Sequence, residues 1–198
     1  MRMAKQFEHF RSPEFLKKLN ERDHGAITEV VNAYTTHLYR TGMGMNMAEE
    51  KVQDICHNTW ATFFEILPKF EGRSHVRTFL FGIFYNKCSE AYRQNGKFEK
   101  TDPIEDVMES RFSDKDHWSN PISDPERHVN EVQMIDIIKK CMEGLPLQQK
   151  AAFTLRVVEE KETEEVCNIL DVTNTNLRQL LFRGKNRLRE CVEKTAQL

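Results

Sequence analysis

Nine polar side chains crowd the last quarter of the chain at a spacing suited to hydrogen-bonding a nucleic acid: Thr173, Asn174, Thr175, Asn176, Arg178, Gln179, Arg183, Lys185 and Arg187. Among them Leu177, Leu180, Leu181 and Leu188 recur with a helical period, which leaves the polar set on the remaining faces. An Arg donates two hydrogen bonds to guanine, and Asn or Gln pairs bidentately with adenine. The cations at 183, 185, 187 and 189 suit phosphates, which fix register without reading sequence. Thr173 stands where an N-cap belongs, its hydroxyl able to accept from the free N–H groups of the next turn. Val166, Ile169 and Leu170 form a preceding stripe that stops at Asp171-Val172, so the pair reads as a helix-turn-helix. Basic residues late in a helix also complement its dipole. This stretch alone therefore leaves DNA binding and a plain solvated surface both open.

A second group interleaves cations with aromatics. Lys69, Arg73 and Arg77 alternate with Phe70, Phe81 and Tyr85, and Asn86 follows. A positive groove with aromatic platforms can hold an unstacked single strand. Phe79, Ile83 and Phe84 share one helical face and read as core, whereas Phe81 and Tyr85 read as exposed. A third group, Gln53, Asp54, His57 and Asn58, lies on or beside the face opposite Ile55 and Phe63 and by itself reads as solvated surface. No phosphate-binding glycine loop, H-E-x-x-H or G-x-S-x-G occurs, so catalytic residues, bound metal and cofactor are not expected. The five cysteines are dispersed and never form C-x-x-C, which reads as reduced thiols in a cytoplasmic protein.

The elements that must carry these groups read almost entirely as helix. Helical periods cover 13–21, 24–40, 48–67 and 75–94, with TGMGMN at 41–46 expected to break the second from the third. Residues 101–125 lose periodicity, hold Pro103, Pro121 and Pro125, and carry a net charge of −5 in a chain whose total is −2. Trp118 is an exception to the polarity of that segment. Helix resumes at 126–143, breaks at Gly144-Leu145-Pro146, and runs on to the end. The expected architecture is all-α: two small helical domains joined by a flexible acidic linker, the second a helix-turn-helix. The boundaries are an N-terminal extension 1–11, a first domain 12–100, the linker 101–125 and a second domain 126–198. No apolar run is long enough to cross a membrane and no secretory signal opens the chain, so a cytoplasmic location without membrane insertion is expected.

VQDICHNTWATFF at 52–64, FEGRSHVRTFLFGIFYNKCSEAYR at 70–93, and the helix-turn-helix opened by Leu145-Pro146 resemble, in order, a bacterial sigma factor of the extracytoplasmic-function type. The resemblance spans nearly the whole chain and implies core RNA polymerase and promoter DNA as partners, with room for an anti-sigma factor. It implies that Gln53, Asp54, His57 and Asn58 bind the polymerase core. It implies that Lys69, Phe70, Glu71, Gly72, Arg73, Ser74, Arg77, Phe81, Tyr85 and Asn86 bind and open the −10 element. The set from Thr173 to Arg187 would read the −35 element. The acidic linker would then mimic nucleic acid in a basic channel of the polymerase. Several residues depart from the usual pattern: Phe79 for Trp, Tyr85 for Arg, Glu90 for Asp, Lys150 for Arg and Asp171 for Gly. A stand-alone helix-turn-helix regulator is the alternative, and it leaves 48–93 unexplained. A helical adaptor with no nucleic-acid role is a third.

Overall fold

The structure, a computed structural model, describes residues 8–94 and 131–196. The acidic segment 101–125 and Trp118 lie outside the described residues. Within those residues every regular element is helical.

The first half holds α1 (Pro13–Asn20), α2 (His24–Gly44), α3 (Glu49–Ile66) and α4 (Val76–Gln94). Their starts follow from local chemistry. Ser12 accepts from the Phe15 N–H at 3.2 Å with Pro13 at the first helical position, and Asp23 accepts from the Ala26 N–H at 2.9 Å. A 3-10 turn at Glu8–Arg11 brings the fully buried Phe10 onto Phe15 and Tyr34, so the N-terminal segment contributes to the core.

The break expected at 41–46 falls later than the sequence suggests, because α2 runs on through Gly44. The glycines serve close packing there. A Cβ on Gly42 would stand 2.7 Å from Val52 Cγ1, and one on Gly44 would stand 2.8 Å from Thr154 Cγ2. Packing against α3 and against the second half thus outweighs the propensity cost of about 1 kcal/mol per helical glycine. The turn comes instead at Asn46, in left-handed backbone with φ 56°.

The second half holds α5 (Glu131–Glu143), α6 (Leu147–Phe153), α7 (Thr163–Leu170) and α8 (Asn174–Ala196). A π-helical turn at Thr154–Val158 continues α6, and Pro146 caps its start. Asp171 closes α7 in left-handed backbone with φ 53°, and the Val172 N–H reaches back to the Cys167 carbonyl at 3.0 Å. This is why the position suits glycine, which carries no Cβ penalty in that region.

The two described halves pack against each other. One continuous core takes Val30, Phe63 and Phe84 from the first half and Leu155, Ile169 and Leu177 from the second. The cysteine expectation is corrected. Cys141 and Cys191 are joined by a disulfide across 50 residues, while Cys56, Cys88 and Cys167 are free. Adjacent-pair motifs miss a bond made by two helices that meet only in the fold.

Candidate nucleic-acid interface

The helix-turn-helix forms as the residue types dictate. Val166, Ile169, Leu170, Leu177 and Leu180 are buried and fix α7 against α8. Thr173 Oγ1 accepts from the Asn176 N–H at 3.2 Å, capping α8. With the inward stripe packed, Thr173, Asn174, Thr175, Asn176, Arg178, Gln179 and Lys185 are exposed, and Arg183 and Arg187 are half-buried. The N-terminal end of α8 therefore presents a contiguous polar surface to solvent. Its donors and acceptors match base edges, and the cations further along match phosphates.

The third group is placed as expected. Gln53, Asp54, His57 and Asn58 are all exposed on α3, opposite the buried Val52, Ile55, Cys56, Thr59 and Phe63.

The second group divides. Lys69, Glu71, Arg73 and Asn86 are exposed, and Gly72 and Ser74 are half-buried. Arg73 pairs with Glu71 at 2.6 Å on the surface. Gly72 takes φ 71°, a left-handed turn where a Cβ would also meet Leu16 Cδ1 at 2.8 Å. Phe70, in contrast, is 8% exposed and stacks on Phe79 at 4.5 Å. Phe81, expected at the surface, is 1% exposed, and Tyr85 is half-buried. Helical period alone put Phe81 outward; a second body packed on that face turned outward into inward.

That body is the second half of the chain. Lys161 lays its ammonium 3.9 Å from the Phe81 ring centroid and 4.0 Å from Glu165 Oε1. Glu165 Oε2 accepts from Arg77 Nη2 across the same seam. Lys150 Nζ donates to Tyr92 Oη at 3.2 Å, a further bond between the two halves. His37 Nδ1 approaches Glu159 at 3.8 Å, and Asn46 Nδ2 donates to the Lys139 carbonyl at 3.0 Å. Burial pushes Lys161 down to about 8, opposed in part by attraction to Glu165. Burial also lowers His37, against the pull of Glu159. The direct pair at the seam is Arg77 with Glu165. A buried pair of that kind adds little net stability when complete, whereas removing one of those two partners costs about 3–5 kcal/mol.

That Arg77, Phe81 and Lys150 meet Glu165, Lys161 and Tyr92 at a seam was not anticipated from the sequence. One signal was present: Glu165 lies four residues before Ile169, so an acid sits on an apolar stripe. A charge there must find a partner from outside its own helix.

Among the described residues, no group of three His, Cys, Asp or Glu is placed to hold a metal, and no helix is long and apolar enough to cross a membrane.

The family model described as Sigma-70, region 4 matches residues 135–188, which spans α6, α7 and most of α5 and α8. A probable RNA polymerase sigma factor of Haemophilus influenzae is 29% identical over 154 residues, 72% of this chain and 77% of that one. The sigma factor SigM of Bacillus subtilis, of the extracytoplasmic-function class, is 22% identical over 82% of this chain and 93% of that one. Among solved structures, CnrH in complex with the cytosolic domain of CnrY superposes with a TM-score of 0.64 at 14% identity, covering 91% of this chain and 96% of that one. The sigma factor RpoE of Bartonella quintana, bound to the anti-sigma factor NepR, superposes with a TM-score of 0.59 at 18% identity, covering 84% and 96%. These superpositions establish a shared fold.

Proposed function

We propose that this chain, a member of the extracytoplasmic-function group of the sigma-70 family that directs core RNA polymerase to promoters, divides that work between its two halves. The observation that carries the proposal is the capped, solvent-facing polar surface at the start of α8. Residues 126–198 insert this surface into the major groove of the −35 element. Arg178, Gln179, Asn174 and Asn176 face base edges, and Thr173, Thr175, Arg183, Lys185 and Arg187 lie along the phosphates. Residues 12–100 bind the polymerase core through Gln53, Asp54, His57 and Asn58, which form one exposed patch on α3. The same half opens the −10 element with Lys69, Phe70, Glu71, Gly72, Arg73, Ser74, Arg77, Phe81, Tyr85 and Asn86. The chain works in the cytoplasm, where the polymerase is, and contributes no catalytic group of its own.

The seam gives this division a sequence in time. The −35 surface is open in the compact chain, whereas Arg77 and Phe81 of the −10 surface are covered by Glu165 and Lys161. The halves must part before the −10 strand is held. Each half contacts DNA over a small area, so tethering on one polymerase supplies the effective concentration that neither half has alone. A stand-alone regulator is disfavoured because α3 and the 70–94 segment would then have no role.

In vitro transcription on a fragmented genomic library, with core polymerase and this chain, tests the reading. Discrete new starts that share an upstream two-part element are expected. Binding to core without any new start would sink the promoter assignment, and no binding to core would sink the α3 assignment as well.

A further inference from the structure

A second, smaller core lies apart from the main one. Cys141, Met142, Leu145 and Leu188 are buried there, with Ile137, Phe153 and Val192 against them. Cys141 is in the last turn of α5, and Cys191 is in the closing turns of α8, with α carbons 5.7 Å apart and a disulfide between them. Apart from this core, α5 is tied by Asn46, whose Nδ2 donates to the Lys139 carbonyl at 3.0 Å. The helix packs chiefly on α8, while Ile135 and Ile138 on its outer side are 53% and 41% exposed. The disulfide is thus a covalent tie between α5 and the tail of α8, the helix proposed to face DNA.

We propose that Cys141 and Cys191 are a reversible thiol–disulfide site, oxidised by a peroxide, whose oxidised form clamps α5 to the tail of α8. The two sulfurs are unequal. Cys141 is 3% exposed and Cys191 is half-buried, so oxidant and reductant meet Cys191 first. Arg187 and Lys194 stand about one turn to either side of it along α8. Glu190 and Glu193 lie beside them, with Glu193 held by Arg189 Nε at 2.9 Å. The free thiols of Cys56 and Cys88 are buried, and burial raises both, which makes them poor competitors.

The chemistry balances with one peroxide. The Cys191 thiolate attacks a peroxide oxygen; the S–O bond forms, the O–O bond breaks, and the departing hydroxide takes a proton to leave as water. The Cys141 thiolate then attacks Cys191 Sγ; the S–S bond forms, the S–O bond breaks, and a second water leaves. Two thiols give up two electrons and two protons. A small dithiol or glutathione reverses the step by attack on Cys191 Sγ. In a reducing compartment such a bond is transient, which suits a switch better than a strut. The consequence for promoter binding rests on the function proposed above; the site itself does not.

The test uses the full chain equilibrated in glutathione buffers from reducing to oxidising, quenched by alkylation and weighed. The pair should pass from two alkylated thiols to a cross-link within the series. Hydrogen exchange across 131–143 should slow roughly tenfold on oxidation, with 163–170 unchanged. A pair alkylated in every buffer, or cross-linked in every buffer, overturns the reversible site. A cross-link that leaves exchange across 131–143 unchanged overturns the clamp. Cys141→Ser and Cys191→Ser should each exchange like the reduced parent, and Cys167→Ser should follow the parent in both states. None of these readouts needs polymerase or promoter, so they fail separately from the functional reading.

Discussion

Replacing Lys161 with Met should close the two halves more tightly, against the intuition that removing an ion-pair partner loosens a seam. The Lys161 side chain is 7% exposed, and its ammonium sits over Phe81 at 3.9 Å with only a distant contact to Glu165 at 4.0 Å. Glu165 keeps Arg77 as its direct partner when Lys161 is gone. Burial lowers Lys161 from 10.5 to about 8, a net figure that already includes the pull of Glu165. Each unit corresponds to about 1.4 kcal/mol, so holding the charge at pH 7 costs the closed form up to about 3 kcal/mol. Met keeps the apolar stem, carries no charge, and places a sulfur near the aromatic ring. The closed-to-open ratio should rise between roughly tenfold and a hundredfold. The wild-type pH response has a fixed sign. With Lys161 near 8 when closed and near 10.5 when open, the open form binds more protons between those values. The closed form must therefore gain stability as pH rises from about 7 toward 10, and Lys161→Met must lose that dependence. Hydrogen exchange across 76–94, corrected for the intrinsic effect of pH, reads the opening. Faster exchange in Lys161→Met, or a flat wild-type response, would refute the assignment of the cost to the buried charge.

Other outcomes follow from single positions. Gly44→Ala should wedge the halves apart by about 1–3 kcal/mol, because the new Cβ meets a fully buried Thr154 at 2.8 Å. Exchange across 76–94 should rise, whereas Gly82→Ala, with nothing within 4 Å, should leave it unchanged. Asp171→Gly should stabilise the chain by about 1 kcal/mol by relieving a left-handed residue, read as a rise in Tm; no rise would show that the aspartate makes a compensating contact. Thr173→Ala should cost about 1 kcal/mol through loss of the α8 cap, measured in the same melt. Arg178→Ala should weaken −35-dependent transcription by about 1–3 kcal/mol in promoter binding while core binding holds. Equal loss of both would mean that the fold was damaged.

Much of this protein is written locally. The helix-turn-helix followed from the stripe Val166, Ile169, Leu170, the cap Thr173 and the stripe of leucines beyond it, because helical period and capping act within a few residues. The exposed patch on α3 followed in the same way from Ile55 and Phe63 opposite Gln53 and Asp54. Asp171 and Thr173 had assignable roles since turn and cap geometry is set by nearest neighbours. The burial of Phe81, the persistence of α2 through Gly42 and Gly44, and the bond from Cys141 to Cys191 were decided elsewhere. Each depends on a partner more than eight residues away, on another segment whose approach no local period encodes. Phe81 is amphipathically outward on α4 until Lys161 lies over it. Gly44 is a helix breaker until Thr154 needs its space. The sequence alone determined which faces each helix would offer; only tertiary packing decided which of those faces water would keep, because burial is a property of the pair and not of the helix.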